Sequence, residues 1–139
     1  MQGAERLAAM LAVNTTLREL RVGSCYLGVR GVLALTAAIA EHNNTLATLD
    51  LNDAALRSPP QDASPRHLAR MLSMNGSLRR LSLSKQGVRD VDLEVMVAHG
   101  LVGSHSLQVL ELRANCLSPS CAPQLTRLLM ENSTVQVRV

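Results

Sequence analysis

A twelve-residue pattern of leucines occurs four times in this chain and constrains its fold more than any other feature. The copies are TLRELRVGSCYL, TLATLDLNDAAL, SLRRLSLSKQGV and SLQVLELRANCL, and they begin at Thr16, Thr45, Ser77 and Ser106. Their starts are 29, 32 and 29 residues apart, and a fifth start at Thr134 follows after 28 more. A period of this length is typical of architectures in which each unit stacks on the next.

Each unit is predicted to begin with a short strand. In the fourth copy, Leu110 and Leu112 alternate with Glu111 and Arg113, so the leucines are expected on one side of the strand and the charges on the other. Asn115 follows the strand, where its side chain can hydrogen-bond the backbone of a turn. The leucine side is therefore the predicted core.

A helix is predicted to follow each strand. In the fourth unit Ser118 and Pro119 signal its start, as serine caps and proline suits the first helical position. Apolar residues then recur at helical spacing, a stripe expected to pack on the leucine side of the strand. The predicted stripes are Leu33, Ala37 and Ala40; Leu68, Met71 and Leu72; Met96, Val97 and Leu101; and Leu125, Leu128 and Leu129.

The unit length and the strand, turn and helix order resemble the ribonuclease-inhibitor type of leucine-rich repeat, over essentially the whole chain. The resemblance implies an α/β solenoid with a curved parallel sheet on its concave side and helices on its convex side. It is shared with nucleotide-binding oligomerisation receptors, tropomodulin and the Ran GTPase-activating protein, and it implies a scaffold that binds proteins. The family's turn position is Cys25 and Asn115 in two units but Ala54 and Gln86 in the others, which predicts weaker locking of the middle turns.

The repeat period runs through residues 1–139 and predicts a single domain. It predicts a partial repeat helix, four full repeats and a partial terminal strand in 1–15, 16–44, 45–76, 77–105, 106–133 and 134–139. Neither end shows the polar cap that a solenoid needs, which predicts a segment of a larger repeat protein or end-to-end self-association. The second unit is longer by a proline-rich loop at 57–65, for which a contact role and a tolerated insertion both stay open.

Stacking predicts the binding surface, because polar residues of successive strands align as columns on the concave face. The candidate protein-binding residues are Glu19, Arg21, Thr48, Asp50, Asn52, Asp53, Arg80, Ser82, Lys85, Val109, Glu111 and Arg113. Their mixed charges favour a specific protein contact steered by electrostatics. An alternative, in which this segment extends a scaffold whose binding residues lie elsewhere, stays open.

Composition disfavours a nucleic-acid partner. The formal charge is only +3, and the cations are scattered along the chain. Tyr26 is the single aromatic residue, and base stacking on single strands needs aromatics. A protein interface here would therefore depend on arginine, the remaining residue type that commonly dominates binding energy.

The sequence predicts no catalysis, no cofactor and no metal. It contains neither a glycine-rich phosphate loop nor a nucleophile elbow. Cys116, Cys121, His99 and His105 lack the close pairing of zinc ligands. The alternative function, implied by the family resemblance, is a GTPase-activating regulator of the Ran-activating type.

An intracellular location is expected, cytoplasmic with a cytoskeletal or ciliary site left open. The three cysteines are an odd number, and Glu5 and Arg6 stand where a secretory apolar core would lie. No apolar run approaches the roughly 20 residues that cross a bilayer, so we predict no membrane span.

Four asparagines, Asn14, Asn43, Asn75 and Asn132, begin tripeptides of the N-glycosylation pattern. Each lies where a predicted helix ends and the next strand begins. We interpret them as structural residues that end helices, because asparagine tolerates the left-handed conformation common there.

Overall fold

The computed structural model describes residues 2–53 and 64–139. Within them, five parallel strands form one sheet in chain order. The strands are β1 Glu19–Arg21, β2 Thr48–Asp50, β3 Arg80–Ser82, β4 Val109–Glu111 and β5 Gln136–Arg138. Because each strand pairs with the strand of the adjacent repeat, the sheet grows by one strand per repeat, as in a solenoid.

Helices lie on one face of this sheet. They are α1 Gln2–Val13, α2 Gly28–Glu41, α3 Ser64–Met74, α4 Asp90–Met96 and α5 Ala122–Glu131. A π-helical segment, Val97–Leu101, continues α4, and a 3₁₀ turn, Pro119–Cys121, precedes α5. The predicted α/β solenoid is therefore confirmed. We call the face of the sheet opposite the helices the concave face.

Columns of leucine fill the space between sheet and helices. Leu49, Leu81 and Leu110 occupy one register position in β2, β3 and β4, and each is at most 1% exposed. Burying one leucine side chain contributes about 1.5–3 kcal/mol. The repetition of the leucine pattern thus builds one continuous core from units that could not fold alone.

Two of the four predicted helix stripes are wholly buried, those of α3 and of α4 with its π-helical continuation. The stripe predicted for α2 is wrong, because Leu33, Ala37 and Ala40 are partly exposed and the helix buries Val32, Leu35 and Ile39 instead. The reason is that α2 is apolar around almost its whole circumference, so the sequence pattern does not fix which face turns inward.

The stripe predicted for α5 is correct only in part. Leu128 is fully buried and Leu125 partly buried, whereas Leu129 is 66% exposed. Leu129 faces away from the preceding repeats, and no helix among the described residues packs on that side. The expectation that it joins the core is wrong for this reason.

The helix-ending asparagines work differently from the prediction. None of them has a positive φ. Asn43 instead folds its side chain back, so that its Oδ1 accepts the N–H groups of Thr45 at 3.1 Å and Leu46 at 2.8 Å. Its Nδ2 donates to the carbonyls of Leu11 at 2.8 Å and Asn14 at 3.1 Å in the preceding repeat.

This arrangement recurs along the solenoid and forms an asparagine ladder. Asn75 donates to the carbonyls of Ile39 and Asn43, and Asn132 donates to those of Leu101 and Ser104. Ser104 takes the asparagine's place in the third repeat. Asn43, Asn75 and Asn132 are at most 7% exposed, so a glycan on any of these amides would not fit the folded structure.

The turns after the strands differ in how well they are locked. Asn115 donates to the carbonyls of Leu83 at 2.9 Å and Leu112 at 2.8 Å, and accepts the N–H groups of Gln86 and Val88. Gln86, at the same repeat position, is 4% exposed with neither amide atom hydrogen-bonded. The weaker locking predicted for Gln86 is thus visible in the structure, whereas Ala54 lies outside the described residues.

Cys25, at the family's turn position in the first unit, is exposed. Asn115 is partly buried because its side chain reaches back to the turn of the preceding repeat. Cys25 lies in the turn after β1, the first strand of the sheet, so within the described residues it has no preceding turn to reach. Most of the proline-rich loop at 57–65 lies outside the described residues, and its role stays a prediction.

Candidate functional site

The strand register aligns the polar columns that the repeat predicts on the concave face. One column contains Glu19, Thr48, Arg80, Val109 and Gln136. The next contains Arg21, Asp50, Ser82, Glu111 and Arg138. Parallel pairing separates adjacent members of a column by about 4.8 Å, so the columns form a continuous polar surface.

A shallow concavity of about 180 Å³ lies over the middle of this face. Eight of the twelve candidate residues line it: Arg21, Thr48, Asp50, Asn52, Arg80, Ser82, Val109 and Glu111. Of the other four, Glu19 is exposed on β1, and Asp53, Lys85 and Arg113 are exposed in the turns after the strands. The latter three form a rim beside the concavity. Val109 is 9% exposed, so it contributes little surface.

The rim is held by repeated left-handed backbone. Ser24, Asp53, Lys85 and Ala114 have φ between 51° and 58°, a conformation uncommon outside glycine. Each of the first three donates its backbone N–H to a carbonyl in the turn of the next repeat. The acceptors are the carbonyls of Asn52, Ser84 and Arg113, each two residues past the end of its strand, at 2.8, 3.0 and 3.0 Å. The turns therefore stack in register, and this fixes where the Asp53 and Lys85 side chains leave the surface.

Asn52 ties the second repeat to the third at the edge of the concavity. Its Oδ1 accepts the Ser82 hydroxyl at 2.6 Å and the Ser84 N–H at 2.7 Å. Its own N–H donates to Asp50 Oδ1 at 2.8 Å. The carboxylate of Asp50 is thereby oriented by the backbone without being neutralised by a cation.

Ion pairs neutralise the two ends of the face. Arg21 pairs with Glu19 on β1, and Arg138 Nη1 lies 3.2 Å from Glu111 Oε1 across β4 and β5. Arg138 was missed by the sequence analysis, because the fifth unit is only a partial strand. The fifth repeat start at Thr134 would align Arg138 with Leu110, whereas in the structure Arg138 pairs with Glu111.

The middle of the face is not neutralised. Arg80 makes no ion pair within the described part of the chain, and neither do Lys85 and Arg113. Asp50 and Asp53 likewise have no cationic partner among residues 2–53 and 64–139. The face therefore has an acidic side over β2 and a basic side over β3 and β4.

Among the described residues, the two carboxyls with perturbed pKa values lie away from the concave face. Hydrogen bonds from the Ser118 hydroxyl and N–H lower the pKa of Asp90. A hydrogen bond and charge attraction from Arg70 lower the pKa of Glu41. Both contacts join neighbouring repeats, which indicates a structural role.

Other chemistry is sparse in the described residues. They contain no cluster of three or more His, Cys, Asp or Glu side chains able to hold a metal ion. Cys25 and Cys116 are exposed thiols, and Cys121 is buried. Among these same residues, no helix has the length and apolarity required to span a bilayer.

Comparison with known proteins agrees with this architecture. Residues 13–35 match a family model described as Leucine Rich repeat. Over 132 residues the chain is 30% identical to NACHT, LRR and PYD domains-containing protein 3 of Bos taurus. That match covers 95% of this chain and 12% of the relative, so the chain spans a small part of that protein's length.

Two solved structures share the fold. The tropomodulin C-terminal domain of Caenorhabditis elegans superposes with a TM-score of 0.82 at 16% identity, covering 98% of this chain and 81% of that one. Leiomodin-1 actin-binding site 2 superposes with a TM-score of 0.77 at 17% identity, covering 99% and 78% respectively. Fold and matches together define the class. The chain is a leucine-rich-repeat protein.

Proposed function

We propose that this chain is a non-enzymatic interaction module whose concave face binds a protein partner. The proposal rests on two groups of charged side chains on one paired sheet, neither of which is neutralised by an ion pair within the described residues. The acidic group is Asp50 and Asp53, and the basic group is Arg80, Lys85 and Arg113. Charged surface side chains that form no ion pair within the described residues are available for contacts that steer and orient another protein.

The arrangement specifies the chemistry of the partner. A segment that fits it carries a basic side chain over Asp50 and an acidic side chain over Arg80 or Arg113. Arg80 lies on β3, one strand spacing or about 5 Å from β2, and Arg113 follows β4, two strand spacings or about 10 Å from β2. Charges about 10 Å apart lie about three residues apart on an extended segment or about seven residues apart on a helix.

Arg80 is the expected centre of the binding energy. It projects from the central strand of the five, is exposed, and is flanked in its column by the Thr48 and Val109 side chains. Binding energy in protein interfaces concentrates near the centre, and arginine is among the residues that most often provide it.

The expected location is inside the cell. Cys25 and Cys116 are exposed free thiols, a state that suits the reducing cytoplasm.

Leiomodin-1 contributes an actin-binding site of the same fold, and actin is therefore one defined protein to test as a partner.

Charge reversal with quantitative affinity capture tests the proposal. The chain with Arg80→Glu is compared with wild type and with Arg30→Glu, which changes an exposed arginine of α2 on the helical side. Proteins captured by wild type are expected to be lost with Arg80→Glu and retained with Arg30→Glu. The opposite pattern would move the site to the helices.

The GTPase-activating alternative makes a different prediction. A regulator of that type would accelerate GTP hydrolysis when mixed with a small GTPase, whereas an interaction module would leave the rate unchanged. A rate increase abolished by Arg80→Glu would replace the proposed function with the regulatory one.

A further inference from the structure

Tyr26 is the only aromatic residue of the chain, and it is 86% exposed. It lies in the turn after β1, two residues past Ser24, and so belongs to the end of the rim beside the concave face. Tyrosine combines a large apolar ring with a polar tip, and it is among the residues that dominate protein interfaces. An almost fully exposed ring at this position is therefore available to another molecule.

A preceding repeat does not cover a side chain at this position of the turn. Cys116 is the equivalent residue in the fourth copy of the leucine pattern. The third repeat packs against that turn, where the Cys116 N–H donates to the Val88 carbonyl at 2.9 Å, and Cys116 is nevertheless exposed. The position thus faces outward when the turns are stacked, and the exposure of Tyr26 follows from its place in the repeat.

The backbone of Tyr26 has a conformation that glycine adopts more easily. Its φ is 51°, in the left-handed region where a bulky side chain is strained. Gly87, the equivalent residue of the third repeat, has a φ of 71°, which shows that glycine fits this turn. Strained residues concentrate at ligand-binding and switch sites. The fold gains neither burial nor a relaxed backbone from this tyrosine, and this favours a role in binding.

A carboxylate without a cationic partner lies at the same end of the rim. The Ser24 hydroxyl donates to Asp53 Oδ2 at 3.5 Å, and the backbone of Asp53 is held by its N–H bond to the Ser84 carbonyl at 3.0 Å. Within the described residues Asp53 forms no ion pair. Because Cα atoms two residues apart lie within about 7 Å, Ser24 also places this carboxylate near Tyr26.

Arginine is the side chain whose chemistry fits a ring and a carboxylate together. Its planar guanidinium stacks on the face of an aromatic ring while donating hydrogen bonds to a carboxylate. A lysine ammonium is a compact, strongly hydrated charge that can pair with the carboxylate but lacks the planar stacking surface. Arg21, five residues before Tyr26 on β1, is paired with Glu19, which reduces its repulsion of an incoming cation.

We propose that Tyr26 and Asp53 form a subsite that binds an arginine side chain of the protein partner. The inference rests on the proposed function, in which a basic side chain of the partner lies over the acidic group of the concave face. It identifies that side chain as arginine and adds an aromatic contact at the rim. The guanidinium stacks on the Tyr26 ring and donates to the Asp53 carboxylate, while the acidic part of the partner reaches Arg80.

Selection from a random peptide library displayed on phage tests the subsite without a known partner. Wild type is expected to enrich peptides that contain an arginine together with an aspartate or glutamate. Tyr26→Gly is expected to lose the enrichment of arginine and keep that of the acidic residue, whereas Arg80→Glu is expected to lose the acidic residue. Cys116→Ser, at the equivalent exposed position of the fourth repeat, is the matched control and is expected to select like wild type.

The affinity of one selected peptide then separates the ring from its hydroxyl. Tyr26→Gly is expected to weaken binding about tenfold through loss of the stacking contact. Tyr26→Phe keeps the ring and is expected to bind nearly as well as wild type. Replacing the peptide's arginine with lysine is expected to weaken binding to wild type but not to Tyr26→Gly.

Intrinsic fluorescence locates the bound peptide, because Tyr26 is the only tyrosine and the chain has no tryptophan. A selected peptide without aromatic residues is expected to change this emission as it saturates the protein. Thermal unfolding checks the fold, and Tyr26→Gly is expected to unfold at no lower temperature than wild type because glycine suits a positive φ.

Three results would overturn the subsite while leaving the proposed function in place: arginine enrichment that survives Tyr26→Gly, acidic enrichment without arginine, or binding that leaves the tyrosine emission unchanged. A lower unfolding temperature for Tyr26→Gly would also overturn it, since the ring would then pack within the chain's own fold. If wild type enriches no sequence at all, the proposed function and the subsite both fail.

Discussion

Asn75 donates its side-chain amide to the backbone carbonyl of Asn43 at 2.8 Å, and this bond joins the end of α3 to the end of α2. The same amide also bonds the Ile39 carbonyl at 3.0 Å, and its oxygen accepts two N–H groups of the following turn. One buried side chain therefore satisfies the backbone of two successive repeats. This contact sets the spacing of the repeats, and hence of the strands that form the concave face.

Replacing Asn75 with alanine is expected to lower the free energy of unfolding by about 3–5 kcal/mol, because several buried backbone groups lose their partners together. Ser73→Ala is the control, since the Ser73 hydroxyl is exposed and bonds only the carbonyl of Arg70. Urea unfolding of both variants measures the difference. A loss for Asn75→Ala no larger than that for Ser73→Ala would contradict a structural role of the ladder.

Gln86→Asn is expected to stabilise the protein by about 1–2 kcal/mol, because a buried amide without partners would be exchanged for a side chain of the length that bonds the turn at Asn115. Thermal unfolding measures the change. The reciprocal variant, Asn115→Gln, is expected to lower the melting temperature. If both substitutions shift it in the same direction, the length of the side chain is not what locks these turns.

Gly100→Ala is expected to destabilise the fold by about 1–3 kcal/mol through overpacking. A Cβ at this position would lie 2.6 Å from both Cα and O of Ala69, and backbone atoms of a packed helix cannot easily move away. Alanine's better helix propensity offsets part of this cost. Gly76→Ala is the control, because nothing lies within 4 Å of its added Cβ. Equal stability of the two variants would show that α3 and the π-helical segment can separate freely.

The lowered pKa of Asp90 predicts a pH dependence of stability. A carboxyl whose pKa is lower in the folded state stabilises the fold above its ordinary value of 3.8, and this contribution disappears as pH falls through the lowered pKa. Wild type is therefore expected to be more stable than Asp90→Asn near neutral pH, with the difference shrinking in acid. Denaturant titrations at several pH values measure it, and a difference independent of pH would indicate that Ser118 does not bond the ionised form.

The sheet and its polar columns were predictable from the sequence because the leucine period fixes both the strand and its register. Equivalent positions such as Thr48 and Arg80 could be aligned without any three-dimensional information. Once the units stack, residues at equal offsets must lie side by side. The same logic did not extend to Arg138, whose unit lacks most of the leucine pattern.

The asparagine ladder was not predictable in the same way. The sequence located Asn43 and Asn75 at helix ends but suggested a left-handed backbone, whereas the structure shows side chains bonding carbonyls 29 to 36 residues away. A local pattern does not reveal such a partner. The inward face of α2 was also unpredictable, since its apolar residues leave several helix rotations equally favourable.

Site-specific photo-crosslinking tests the central claim, that the concave face binds a protein, most directly. A photoreactive residue is placed at Thr48, which lines the concavity, or at Val91, which is 56% exposed on α4. After irradiation with a captured partner, the account predicts covalent products from position 48 and none from position 91. Crosslinking from position 91 with none from position 48 would contradict it and assign binding to the helical side.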